Sequence, residues 1–225
     1  MNDKSSSAIA RYAVYFAPSD QSQLGAFGLH VLQRGACEND HPLRQKVTEK
    51  AAHYGFHSTF KAPMELAKGC TEQGLLDAVD AYSKTKQRVR LTGLQPEIVN
   101  GFHALTLPES PEVDDFAADV MRTFEPFRAP LTEADRQRRH PDKLSARQRQ
   151  YLESYGYPHV LEEFHFHMTL SKHIDSAEDS NSYHQWLKQW FEKTVTETPW
   201  LDLLAVFWQP NRATAFTRIA EFPVN

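Results

Sequence analysis

The segment FHFHMTL, Phe164–Leu170, alternates apolar with polar residues, which is the period of a β-strand. Residues two apart on a strand point to the same side. His165, His167 and Thr169 should therefore share one face, while the apolar residues between them pack behind it. This pattern predicts an imidazole and a hydroxyl side by side on a rigid support.

A second segment, FHSTFK at Phe56–Lys61, repeats the pattern and puts His57, Thr59 and Lys61 on one face. Among the 11 histidines, His57 and His167 alone are followed two residues later by Ser or Thr. One such match is a weak signal, but two matches in strand-like runs support each other.

The residues after each motif also follow a common order. Thr71 is positioned to cap a helix, and strands at 88–94 and 102–107 flank the hairpin signal Asn100-Gly101. After the second motif come an amphipathic helix around 183–195, an apolar strand at 200–208, a turn at Pro210-Asn211 and a strand at 215–222. We therefore expect an α+β fold, a bilobal pseudo-two-fold duplication of β-α-β-β units whose antiparallel sheets line a central cleft.

The whole chain, 1–225, is predicted to form a single bilobal domain. The first lobe covers 11–107, a helical insert covers 108–163, and the second unit covers 164–225. The first lobe should open with a strand at 11–17 and a helix ending near Gly35, while 36–52 has weak periodicity and is predicted to be a loop. In the insert, Ser110-Pro111 and a capping box at Ser145 mark two helix starts, the second helix ending near Gly156.

Composition narrows the functional classes. A net charge of −4 and a pI of about 6.3 argue against a broadly electrostatic nucleic-acid-binding protein. Cys37 and Cys70 have no metal-ligand spacing and are expected to be free thiols. Met1–Ser7 is polar and is expected to be disordered, and no run of about 18 apolar residues suggests a membrane span. We expect a cytoplasmic protein with no membrane association and no obligate protein partner.

Two imidazoles at one cleft suit phosphodiester hydrolysis. One can take a proton from water while the other protonates the leaving oxygen, and each role typically contributes 10²–10⁴-fold in rate. The hydroxyls of Thr59 and Thr169 can hold the non-bridging oxygens. This chemistry requires no metal and no cofactor, and a cyclic phosphate suits it because the leaving oxygen stays attached.

At these residues the chain resembles the two-histidine (2H) phosphoesterase superfamily, whose paired H-x-T/S-hydrophobic motifs match His57–Phe60 and His167–Leu170. The segments RYAVYFAP, YGFHSTFKAP, GYP and EFHFHMTL are similar to a bacterial branch named for phosphonate metabolism, over about residues 11–222. In that branch we expect Arg where this chain has His165. The resemblance implies a bilobal α+β fold, a metal-free site and a cyclic phosphodiesterase acting on a small substrate such as a ribose cyclic phosphate. By analogy, His167 would be the base and His57 the acid.

The predicted catalytic residues are thus His57 and His167. The candidates for phosphate binding are Thr59, Thr169, Lys61, His165, Tyr15, Arg136, Arg139 and Arg147. For Lys61 and the arginines, a solvated surface role is an equally good interpretation, and Lys172 is expected to point away from His167. Three alternatives stay open: a non-catalytic module that binds phosphate or an RNA end, an RNA 2′,3′-cyclic phosphodiesterase, and a metal-dependent hydrolase using His165 and His167.

Overall fold

The computed structural model describes residues 9–33, 35, 37 and 39–225. The expected disordered start, Met1–Ser7, lies outside these residues. The described part contains seven α-helices, which are α1 Gln23–Leu32, α2 Arg44–Tyr54, α3 Glu72–Ser83, α4 Pro111–Thr123, α5 Glu133–Gln137, α6 Ala146–Tyr155 and α7 Ala177–Thr194. Its nine strands are β1 Arg11–Phe16, β2 Ser58–Met64, β3 Val89–Arg90, β4 Gln95–Val99, β5 Phe102–Thr106, β6 His167–Thr169, β7 Trp200–Leu201, β8 Leu203–Gln209 and β9 Thr217–Pro223. The predicted α+β class is confirmed.

Three antiparallel sheets place the two motif strands. β2 lies at the edge of a four-stranded sheet in the order β2-β1-β8-β9, and β6 lies at the edge of a three-stranded sheet in the order β4-β5-β6. The third sheet is the short pair β3-β7. The motif strand β2 thus shares a sheet with the hairpin β8-β9, which follows the second motif, and β6 shares a sheet with the hairpin β4-β5, which follows the first. The strands β2 and β6 also contact each other.

The hairpin turn at Asn100-Gly101 forms as predicted, with both residues in the left-handed region at φ 48° and 82°. Its first strand, however, is β4 rather than the predicted 88–94. Pro96 lies in β4, where it is tolerated because β4 is an edge strand. Residues 89–90 pair with β7 instead, and the chain then turns at Gly93, where φ is 82°. The strand predicted at 200–208 is likewise divided, between β7 and β8.

Helix α2 corrects the loop predicted for 36–52, of which residues 36 and 38 lie outside the described part. The buried side chains of Val47 and Ala51, one helical turn apart, form its apolar stripe. A stripe this short does not distinguish a helix from a loop in the sequence. The buried Arg44 starts the helix, and its guanidinium donates to Asp40 at 2.5 Å and to the carbonyl of Gln33 at 2.5 Å. A charged residue used for internal bonding cannot be told from a surface arginine by its pattern.

The other helix signals are confirmed. The Thr71 hydroxyl accepts the Gly74 N–H at 3.0 Å, and Ser145 and Gln148 form the predicted capping box. α6 ends at Gly156, which adopts φ 73°. None of the helices in the described part of the chain combines the length and apolar character that a membrane-spanning helix needs.

His103 on β5 joins the three-stranded sheet to α7. Its ring is fully buried, with Nδ1 3.0 Å from the Ser171 hydroxyl, and Nε2 donates to the Ser180 carbonyl at 3.1 Å. Burial lowers its pKa to about 4, against the raising effect of the Ser180 carbonyl. The native state therefore holds this imidazole neutral at pH values where an unfolded chain would protonate it.

We expect this histidine to make stability depend on pH. Because the unfolded state binds a proton that the folded state excludes, the free energy of unfolding should fall as the pH drops from about 6.5 to about 4, by at most ~1.4 kcal/mol per pH unit for one group. Urea denaturation at several pH values should show a shallower slope for His103→Gln than for the unmodified protein. His140→Asn, at an exposed residue with φ 49°, is the control. Parallel slopes for His103→Gln and the unmodified protein would contradict this assignment.

Candidate active site

Both motifs line one cavity of about 440 Å³, called here the histidine cavity. His57 and Thr59 reach it from β2 and the segment before it, and His167 and Thr169 reach it from β6. Its other polar and aromatic lining residues are Arg11, Tyr15, Lys50, Tyr54, Phe102, Arg139, Tyr157, Ser171, Lys172 and His173. The structure therefore brings together two imidazoles and two hydroxyls that are more than a hundred residues apart in sequence.

The ring of His57 is held on three sides. Nδ1 donates to the Gly55 carbonyl at 2.9 Å, and Nε2 lies 3.2 Å from the Thr59 hydroxyl. Tyr15 stacks on the ring with a centroid distance of 3.9 Å. Gly55 has φ 81°, a backbone conformation that favours glycine, and this turn precedes β2.

His167 is bonded in the same way. Its Nδ1 donates to the carbonyl of His165, also two residues earlier, at 2.8 Å. A carbonyl can only accept, so in each neutral ring the proton is on Nδ1 and Nε2 carries the lone pair. Nε2 is thus the ring nitrogen of both histidines that is left for chemistry at the histidine cavity.

The two rings differ in their electrostatic environment. Burial lowers the pKa of His57 to about 4, and the charge of His167 lowers it further, although the Gly55 carbonyl opposes this shift. The buried Tyr15 hydroxyl has a raised pKa for the same reason, desolvation. His57 is therefore a neutral base at physiological pH.

Lys61 is a correction to the predicted site. It was expected to share a face with His57 and Thr59, but a register shift falls between the pairs Tyr15–Thr59 and Val14–Lys61. This bulge breaks the alternation of sides, so Lys61 turns into the core and forms an ion pair with Glu125. It takes no part in lining the histidine cavity.

The predicted arginines separate into two groups. Arg139 lines the histidine cavity, and its guanidinium lies 4.8 Å from the centre of the Tyr157 ring. Arg136 instead pairs with Glu133 at 2.5 Å and Glu153 at 2.7 Å, and Arg147 is exposed on α6. Neither of them lines the cavity, so their predicted phosphate contacts are not supported by their positions.

His165 lines a neighbouring cavity of about 520 Å³, which shares Thr59, Phe102, Tyr157 and His167 with the histidine cavity. Its side chain is exposed. Within the described residues, no group of three His, Cys, Asp or Glu side chains is placed to hold a metal ion.

Sequence reasoning missed several lining residues. Lys50 and Tyr54 lie on α2, the helix that was predicted as a loop. Lys172 was expected to point away from the cavity, but β6 ends at Thr169 and both Leu170 and Ser171 donate to the His103 carbonyl, so the alternation is not continued. Tyr157 and Arg11 could both have been suspected, since they belong to the segments GYP and RYAVYFAP that carry the resemblance.

A family described as a protein of unknown function (DUF1045) has a sequence model that matches residues 59–217, which include Thr59, His167 and Thr169. The chain belongs to the DUF1045 family. The match begins two residues after His57, so it covers the second motif completely and the first in part.

Two curated relatives carry the name ribose 1,5-bisphosphate phosphokinase PhnN. The protein from Janthinobacterium sp. (strain Marseille) is 32% identical over 188 residues, which are 77% of this chain and 41% of the relative. The protein from Laribacter hongkongensis (strain HLHK9) is 28% identical over 215 residues, which are 92% of this chain and 50% of the relative. This DUF1045 chain thus spans half or less of the relatives that it matches.

The ion pair of Lys61 predicts an asymmetric effect on stability. Glu125→Gln leaves a lysine with 2% side-chain exposure without its partner, which should cost about 3–5 kcal/mol. Lys61→Met should cost much less, because Glu125 keeps its bond to Arg128 at 2.6 Å. Urea denaturation measures both, with the exposed Glu133→Gln as the control. Equal losses for the two variants would show that Lys61 is not confined to the core.

Proposed function

We propose that this chain is a metal-independent phosphodiesterase that hydrolyses a small cyclic phosphate by general acid–base catalysis with His57 and His167. The observation that carries the proposal is the matched bonding of the two rings. Each donates Nδ1–H to a carbonyl two residues earlier, and each lines the same cavity with a threonine two residues later. A cleft with one proton acceptor and one proton donor is what an in-line displacement at phosphorus requires.

By analogy with the superfamily, His167 would be the base and His57 the acid, but the pKa of His57 supports the opposite assignment. A histidine with a pKa of about 4 is neutral at pH 7 and is a poor proton donor in the free protein. We therefore assign His57 as the base that takes a proton from water and His167 as the acid. The water oxygen bonds to phosphorus, and the bond between phosphorus and one ester oxygen of the cyclic phosphate breaks. His167 protonates that ester oxygen, and the product is a phosphomonoester.

The threonines are proposed to hold the phosphate. The Thr59 hydroxyl lies 3.2 Å from His57 Nε2, so a group bonded to Thr59 is within reach of the base. Thr169 lines the same cavity, two residues beyond His167. In the free protein the Thr59 hydroxyl donates its one proton to the lone pair of His57 Nε2, so it would turn to the phosphate when substrate binds. Both hydroxyls can then stabilise charge that develops on the non-bridging oxygens.

The substrate class rests on the 2H resemblance and on the relatives. The branch that the motifs resemble is named for phosphonate metabolism, and the relatives' names contain a ribose bisphosphate. A ribose cyclic phosphate in phosphonate catabolism is the proposed substrate. The kinase activity in those names is not transferred: Gly69 and Gly74 have the spacing of a phosphate-binding loop, but Leu75 follows where that loop has Lys.

The proposal includes the two-unit architecture. The order strand, helix, short strand, hairpin occurs as β2-α3-β3-β4-β5 and again as β6-α7-β7-β8-β9. β3 pairs with β7, which are equivalent elements in the two runs. These features support a bilobal duplication over 11–107 and 164–225, with the helices of 108–163 between them.

Alanine at either histidine should reduce kcat by at least about 100-fold, because each removes one proton-transfer group. The assay follows a panel of cyclic phosphates (ribose 1,2-cyclic, nucleoside 2′,3′-cyclic and ADP-ribose cyclic) by phosphorus NMR after EDTA treatment. His140→Asn should retain full activity. Binding of a cyclic phosphate without any product would favour a non-catalytic binding module instead, and near-normal turnover by His57→Ala or His167→Ala would refute the mechanism.

The pH dependence tests the roles separately. If His57 is the base, the acidic limb of the kcat/KM profile should lie near pH 4, whereas an ordinary histidine gives an acidic limb near 6.5. Tyr15→Ala should admit water to the His57 ring and move this limb upward, while Tyr151→Phe, outside the cavity, should leave it in place. Initial rates after a pH jump from pH 7 measure the profile. A limb that remains in place in Tyr15→Ala would count against His57 as its origin.

A further inference from the structure

A second cavity of about 310 Å³ adjoins the histidine cavity and shares with it Arg11, Tyr54, Ala62, Pro63 and Arg139. We call it the arginine cavity, because five arginines line it: Arg11, Arg128, Arg138, Arg139 and Arg212. Its acidic lining residues are Glu65 and Asp135. Positive charge is therefore in excess beside the proposed reaction site, although the chain as a whole has a net charge of −4.

Three of the five guanidiniums have carboxylate partners. Arg128 pairs at 2.6 Å with Glu125, which does not line the arginine cavity. Arg138 and Arg212 both pair with Asp135, and Arg212 also lies 3.8 Å from Glu65. Each of these three guanidiniums thus has a carboxylate within ion-pairing distance, although Glu125 is shared with Lys61 and Asp135 is shared between Arg138 and Arg212.

Arg11 and Arg139 are the exceptions. Nε of Arg11 donates to the neutral amide of Gln209 at 3.0 Å, and Arg139 lies over the Tyr157 ring. Among residues 9–33, 35, 37 and 39–225, neither has a carboxylate within ion-pairing distance. These are the same two arginines that line both cavities, so the guanidiniums without an ion-pair partner lie where the cavities join.

The electrostatics agree with this geometry. Burial lowers the pKa of Arg11 and the charge of Arg212 lowers it further, although Tyr54, Tyr15 and Asp135 oppose this shift. Burial raises the pKa of Tyr157, and the positive charge of Arg139 opposes this increase. Two guanidiniums that lack an ion-pair partner favour an anion, and the planar guanidinium fork matches the oxygens of phosphate.

We propose that Arg11 and Arg139 bind a second phosphate group of the substrate, a phosphomonoester remote from the bond that is hydrolysed. The inference rests on the proposed function and narrows its substrate class. The substrate is then a sugar phosphate with a cyclic phosphodiester in the histidine cavity and a terminal phosphate in the arginine cavity. Ribose 1,2-cyclic phosphate that also carries a 5-phosphate has this form.

Two measurements separate this proposal from the proposed function. The first is calorimetric binding of ribose 5-phosphate, which has no phosphodiester bond for the proposed reaction to hydrolyse. Arg11→Gln and Arg139→Gln should each weaken it by roughly 10-fold to 100-fold, the effect of one lost charge-assisted contact. Arg11→Lys should recover part of the affinity, and His57→Ala should keep it. Arg122→Gln, an exposed arginine on α4, is the matched control.

The second measurement compares kcat/KM for ribose 1,2-cyclic phosphate with and without the 5-phosphate. The unmodified protein should prefer the doubly phosphorylated form, and Arg139→Gln should lose this preference with a change mainly in KM. Ribose 5-phosphate affinity that is unchanged by both arginine variants, or weakened by Thr169→Ala alone, would overturn the arginine site. Failure to hydrolyse any cyclic phosphate, with arginine-dependent binding intact, would instead overturn the proposed reaction alone.

Discussion

Two backbone carbonyls, those of Gly55 and His165, set the chemistry available at this site. Each accepts Nδ1–H from the histidine two residues later. A free imidazole exchanges its proton between both nitrogens, but these bonds fix one tautomer and one ring orientation. The proposed reaction depends on this constraint, since both Nε2 atoms must be available to the same cavity. The local backbone, rather than a buried carboxylate, orients the two rings.

The sheet arrangement brings these local units together. Each motif strand pairs into the sheet that contains the other motif's hairpin, so neither histidine is positioned by its own segment alone. The stacking of Tyr15 on His57 adds a difference between two otherwise similar sites. A burial difference between chemically identical groups is a common way of assigning them opposite roles in proton transfer.

The sequence predicted features that depend on local periodicity. The turn at Asn100-Gly101 and the capping box at Ser145 follow from residue type and spacing, and both form as expected. The motif strands also form, but β2 begins only at Ser58 and β6 covers only His167–Thr169, so His57 and His165 lie just before them. Features set by tertiary contacts were missed. A bulge that depends on pairing with β1 reverses the direction of Lys61, and α2 is held by the internal bonds of Arg44. The arginine cavity combines distant parts of the chain, so spacing could not reveal it.

The pairing of β1 has a consequence for how the protein is made. β1 is a central strand, and Arg11 bonds to Gln209, 198 residues away in the chain. The ribosome makes β1 long before β8, so the four-stranded sheet cannot close until β8 has emerged. During synthesis β1 exposes one unpaired edge, which carries a risk of aggregation. Such long-range closure is also typical of slow folding.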